Sequence, residues 1–179
     1  KSKEQILLIS KMFQVQNEFE KANDVLTSID DKFDLDLIFT EISIELNKQL
    51  YNKSEDIDLL EEKTKKLEKV KELSSQKYQK IIMNLTFNYD LSQSTKDIIN
   101  QLNFSSNEKI SSNSLHNLSL AEKYSKKKDL FNSMKIFFET VGNKSFDSLT
   151  ILESYKILLI LRNLGFEKEL RRISINLTQ

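Results

Sequence analysis

Few residues of this chain could do chemistry, and their types and spacing narrow what that chemistry could be. His116 is the only histidine and cysteine is absent. That removes histidine–cysteine zinc sets, thiol nucleophiles, cysteine–histidine pairs and disulfides. His116 alone could serve as a general base, but a partly exposed helix histidine accounts for it more simply. Asp30, Asp31, Asp34 and Asp36 resemble a calcium loop at a glance. An EF-hand needs oxygen ligands at alternate positions and a central glycine, whereas Lys32 takes a ligand position and no glycine is present. The run reads instead as an inter-helix turn with carboxylates ready to cap. Carboxylate pairs such as Glu41/Glu45 suggest hydrolysis only inside a pocket. With Gly142 and Gly165 the only glycines, no phosphate-cradling loop can form. The sequence therefore predicts no catalytic residue, no metal ligand and no cofactor.

Charge points the same way. Net charge is zero, with 27 basic and 27 acidic residues, which argues against a nucleic-acid partner. Lys63, Lys65, Lys66, Lys69 and Lys71 are interleaved with Glu61, Glu62, Glu68 and Glu72, the pattern of a solvated helix face with i,i+4 ion pairs. Lys126-Lys127-Lys128 is more concentrated and reads as a turn. Asn-x-Ser/Thr sequons at Asn52, Asn84, Asn103, Asn117, Asn143 and Asn176 follow from a composition rich in asparagine and serine. No apolar stretch approaches the roughly 18 residues of a membrane span. No signal peptide is visible, but the chain opens at Lys1, so a removed signal or lipid anchor stays open, and no compartment follows.

These side chains must be positioned by helices. Hydrophobic residues make up 39% of the chain and proline is absent, which permits helices throughout; a depleted set of GC-rich codons shares responsibility for the missing proline, so periodicity carries the argument. Ser2 with Gln5 predicts a capping box opening a helix with Ile6, Ile9 and Phe13 inward. Gln16-Asn17 breaks it, and Phe19, Ala22, Leu26 and Ile29 form the stripe of a second. Leu35, Ile38, Ile42, Leu46 and Leu50 line a third. Ser54 is the expected cap of the next helix, with Glu55, Asp56 and Asp58 at its N-terminus. Residues 54–88 admit two readings: one long helix with a loose heptad from Ile57 to Ile81, or a break at Ser74-Ser75, which the ordinary length of the flanking helices favours. Ser94 with Asp97 predicts a later cap, 104–114 an exposed polar loop, Asp147 or Ser148 another cap, and Gly142 and Gly165 helix stops.

Turn-and-helix starts recur at Ala22, Ile57, Asp97, Ser133 and Leu170, in steps of 35, 40, 36 and 37 residues. Such a period indicates stacked helical repeats. The expected units are 2–34, 35–73, 74–104, 112–145 and 147–179 of a single domain. The first and fourth resemble tetratricopeptide (TPR) repeats: Ile9, Ser10 and Phe13 are followed by Phe19, Ala22 and Leu26, and Leu120, Ala121 and Tyr124 by Ser133, Phe137 and Thr140. Small residues let helices approach and large ones fill the gaps. Ile57 and Leu170 depart from the pattern, standing where that family prefers a small residue. The resemblance implies an all-α fold, about five antiparallel helix pairs stacked as a right-handed TPR-like α-solenoid. It also implies a non-catalytic scaffold whose groove takes a partner protein or peptide, with Lys11, Gln14, Glu122 and Lys126 near that groove. The competing expectation is a structural coiled-coil or bundle subunit that self-associates through 54–88.

Overall fold

The spaced apolar residues resolve into ten α-helices among residues 1–53, 57–104, 112–145 and 148–178, the part of the chain that the computed structural model describes. The chain divides into two compact units, Lys1–Ser105 with Thr178–Gln179, and Ser106–Leu177. The fold is all-α.

In the first unit, α1 (Lys3–Val15) opens with the expected capping box: the Gln5 N–H donates to Ser2 Oγ at 3.4 Å and the Ser2 N–H to Gln5 Oε1 at 3.1 Å. Helix α2 (Phe19–Leu26) packs back on α1, and Asp34 caps α3 (Leu35–Asn52) by accepting from the Leu37 N–H at 3.1 Å. Ile6, Phe19, Ala22, Leu26, Ile29, Leu37 and Ile44 form one buried cluster. Helix α3 is buried well beyond its expected stripe, with Leu37, Phe39 and Ile44 inward beside Ile38, Ile42 and Leu46. Apolar residues all round mark a helix enclosed on several sides. Next come α4 (Asp58–Lys65), a 3₁₀ turn (Lys66–Lys69), α5 (Gln76–Asn88) and α6 (Gln93–Gln101). Helix α3 touches α1 on one side and α5 on the other, while α4 packs on α3 and α6. The second unit holds α7 (Ser112–Lys126), α8 (Leu130–Val141), α9 (Ile151–Leu164) and α10 (Glu167–Asn176). There α7 packs on α8 and α9, and α9 on α10.

The three hairpins α1–α2, α7–α8 and α9–α10 close with the same turn. Asn17, Lys128 and Gly165 are left-handed, at φ 60°, 60° and 79°. In each, the next N–H reaches back across the helix end: Glu18 to the Phe13 carbonyl (2.9 Å), Asp129 to Tyr124 (3.1 Å), Phe166 to Leu161 (3.0 Å). The left-handed residue donates to Gln14, Ser125 and Arg162 respectively, completing a Schellman motif that satisfies carbonyls otherwise orphaned at the helix end. These positions stand 111 and 37 residues apart, both whole multiples of 37. Two of the hairpins also share a cross-helix bond: Ser10 Oγ donates to the Ala22 carbonyl and Ser133 Oγ to the Ala121 carbonyl, each at 2.9 Å. All four residues are fully buried. A larger side chain at any of them would force the helices apart.

The break favoured at Ser74-Ser75 is present: after the 3₁₀ turn the backbone is extended, with Val70 at ψ 124° and Ser75 at ψ 118°, and α5 begins directly after Ser75. Other expectations need correction. Glu72–Leu73 and Asn103–Phe104 pair as a two-residue parallel ladder, which no helical periodicity could announce. The alternative of one long helix with a loose heptad does not hold, since α4, the 3₁₀ turn and α5 are separate elements. Helix α6 is capped by Ser92, not Ser94, with the Thr95 N–H donating to Ser92 Oγ. Helix α9 is capped by Thr150 in a full box with Glu153, not by Ser148; the alternative Asp147 lies outside the described residues, as do Ser54, Glu55 and Asp56. Ser112–Ser114 of the expected loop are already helical.

A candidate ligand cavity on the first helices

Within the first unit, helices α1, α3 and α5 line a half-open cavity of about 360 Å³. Helix α1 supplies Leu8, Lys11, Met12, Gln14 and Val15, α3 supplies Thr40 and Ser43, and α5 supplies Lys77; Thr178 completes the wall. Helical spacing sets who faces in. Leu8, Met12 and Val15 lie at i, i+4 and i+7 on one ridge of α1, and they remain 59%, 56% and 64% exposed. Side chains at these intervals share a face.

The polar floor is held by a buried network. The Thr178 carbonyl accepts from Ser43 Oγ at 2.7 Å, and Thr178 Oγ1 donates to Asn47 Oδ1 at 2.5 Å. Asn47 Nδ2 in turn donates to Gln14 Oε1 at 3.4 Å. Gln14 and Asn47 are nearly inaccessible, so satisfaction of their amides fixes the floor rather than leaving it adaptable.

Lys77 is positioned by its neighbour. Tyr78 stacks on Phe39 with ring centroids 4.2 Å apart and 5° between planes, and its hydroxyl donates to Asp36. Asp36 also pairs with Lys3 at 3.1 Å. The Tyr78 hydrogen bond, then Lys3, hold the Asp36 carboxyl below its ordinary range despite partial burial. Burial, then the Asp36 carboxylate, push the Tyr78 hydroxyl up. With α5 locked to α3 in this way, Lys77 lines the same cavity as Lys11, near enough for the two amines to influence each other. Burial first, and Lys11 second, lower the Lys77 amine to about 8. Among the described residues, neither lysine makes an ion pair within 4.0 Å.

Of the four sequence-selected residues, Lys11 and Gln14 line this cavity. Glu122 and Lys126 belong to the second unit. There Glu122 is 7% exposed and bridges two helices, pairing with Lys126 at 2.6 Å and with Lys156 of α9. Burial alone would raise its carboxyl, but Lys126 and Lys156 pull it below the usual range. Sequence reasoning missed Lys77. It stands 66 residues from Lys11, and nothing local marks it.

The other candidates have structural employment. His116 is exposed. Asp31 accepts from the Phe33 N–H, and Asp34 caps α3 and pairs with Lys3 at 2.8 Å. Lys63 and Lys66 do not form i,i+4 pairs; both reach across to Glu41 of α3, at 3.3 and 2.5 Å. Lys69 lies 4.7 Å over the Phe33 ring. Among the described residues, no helix is long and apolar enough to cross a membrane. Comparison with protein-family models, with curated proteins and with solved structures gave no match to this chain.

Proposed function

We propose that the chain is a non-catalytic interaction scaffold, a right-handed TPR-like α-solenoid whose first helices hold a partner protein or peptide. The observation that carries this reading is the repeated hairpin: one Schellman turn at intervals of a whole number of 37-residue repeats, with Ser–Ala close approaches in two of the copies. Reuse of one supersecondary unit is how repeat proteins build extended binding surfaces. The exposed row Leu8, Met12 and Val15 gives the first helix an apolar face that has no structural use within its own hairpin.

The test is capture of binding partners from native lysate by the wild-type chain and by a Leu8→Asp/Met12→Asp variant, followed by reconstitution with the purified partner. The reading expects one stoichiometric partner that the variant loses by at least about tenfold in affinity, with unchanged helix content. Recovery of the bait's own chain alone would instead favour a self-associating structural subunit.

A further inference from the structure

The cavity on α1, α3 and α5 has a chemical asymmetry that a protein-binding groove does not require. One wall is the apolar ridge Leu8, Met12 and Val15; at its edge the side chains of Lys11 and Lys77 converge. A protonated ammonium has three donors and no lone pair, so two of them cannot satisfy each other. Their meeting without a carboxylate within ion-pair distance leaves a concentrated positive site facing a cavity. Asp36, the acidic group that Lys77 faces from α3, is already shared by Lys3 and Tyr78. An anion is the simplest complement, and the apolar ridge beside the two lysines selects one with a hydrocarbon tail. At about 360 Å³ the space lies at the low end of small-ligand pockets, roughly 300–1,000 Å³.

We propose that this cavity binds a small carboxylate with an apolar tail, its head group held between Lys11 and Lys77 and its tail along Leu8, Met12 and Val15. The two ammonium groups donate to the two carboxylate oxygens. The thioether of Met12 adapts to the tail, and Gln14, fixed by Asn47, forms the polar base. Binding an anion favours protonated Lys77, so complex formation takes up protons near pH 8 and weakens as pH rises. The groups that face Lys77 are Lys11 from α1 and Asp36 from α3; Asp36 stays ionised throughout this range.

The experiment is calorimetric titration of the whole chain with decanoate and, separately, with decanol. Decanoate is expected to bind one to one, and decanol about tenfold more weakly, the worth of one charge-assisted contact. Lys77→Gln should weaken decanoate about tenfold, Lys11→Gln likewise, and Lys77→Arg should retain most of the affinity. Lys135→Gln, at an exposed position on α8, should change nothing. Decanoate affinity should fall between pH 7 and pH 9.5. Equal binding of decanol, indifference to both lysine substitutions, or no decanoate binding at millimolar concentration would overturn the proposal. Circular dichroism on each variant separates loss of the site from loss of the fold. The outcome is independent of whether a protein partner is found.

Discussion

Glu153 shows how a single buried carboxylate can tie down a helix start. It is 2% exposed and accepts from Lys144 at 2.6 Å, from Ser114, and from the Thr150 N–H at 3.0 Å. Burial alone would raise its carboxyl, but those donors hold it down to about 2. A carboxyl lowered in the folded state contributes stability that is present above its unfolded value of 4.5 and lost as pH falls toward 2. Glu153→Ala should therefore cost about 2–3 kcal/mol at pH 7. It should also flatten the loss of stability between about pH 4.5 and 2, read by urea melts across that range. Lys77 has the opposite sense. Its amine is lowered from 10.5 to about 8, so above pH 8 the unfolded chain binds more protons than the folded one and stability rises with pH. Above about pH 10 the raised Tyr78 hydroxyl opposes that rise. Lys77→Met should add about 1–2 kcal/mol at pH 7, discounted for partial exposure, and remove the rise between pH 8 and 10.

At the scale of elements, the hairpin turns carry a measurable strain. Gly165 sits at φ 79°, and a Cβ built there would meet nothing within 4 Å. Gly165→Ala should thus lose about 1 kcal/mol from backbone conformation alone, without any clash, seen as a lowered Tm with unchanged spectra. The break between α4 and α5 can be tested with proline. Ser75 has φ −74° and makes no side-chain cap bond, so Ser75→Pro should change stability by less than about 0.5 kcal/mol. In a continuous helix the same substitution would cost about 3 kcal/mol. Thermal melts distinguish the two cleanly, and with them the broken segment from a long coiled-coil helix.

For the whole molecule, polar burial inside an apolar interior marks where packing and specificity compete. Glu45 and Gln49 are almost fully buried on α3; Gln49 Nε2 donates to Glu45 Oε1 at 2.9 Å, while Glu45 Oε2 and Gln49 Oε1 find no hydrogen-bond partner. A buried carboxylate oxygen left unpaired is costly. Glu45→Gln would let the two amides pair reciprocally and remove the buried charge. It should raise stability by about 1 kcal/mol, and a fall in Tm would show that the charge is answered elsewhere in the molecule.

Local physics made much of this protein legible from its residues alone. The Ser2–Gln5 box, the break at Asn17, the turn at Lys126–Lys128 and the stop at Gly165 all depend on residues within a few positions of one another, so periodicity and cap chemistry determined them. The Phe19, Ala22 and Leu26 stripe followed for the same reason. The close approach of two helices at Ser10 and Ala22, and again at Ala121 and Ser133, could be expected from small residues at matched spacing. What the sequence could not determine are choices between distant chemical equals. Ser92 and Ser94, or Ser148 and Thr150, have nearly the same capping chemistry, and only the path of the incoming chain selected one. Lys66 had Glu62 at helical spacing yet turned to Glu41, as Lys63 did, because the helix ends at Lys65 and packing brings α3 within reach. Lys77 became a partner of Lys11 only because Tyr78, stacked on Phe39 and bonded to Asp36, docks α5 against α3 and aims the preceding residue into the cavity. Helices are written in nearest-neighbour terms; the cavity and its charge arise from contacts tens of residues apart, which only the folded chain decides.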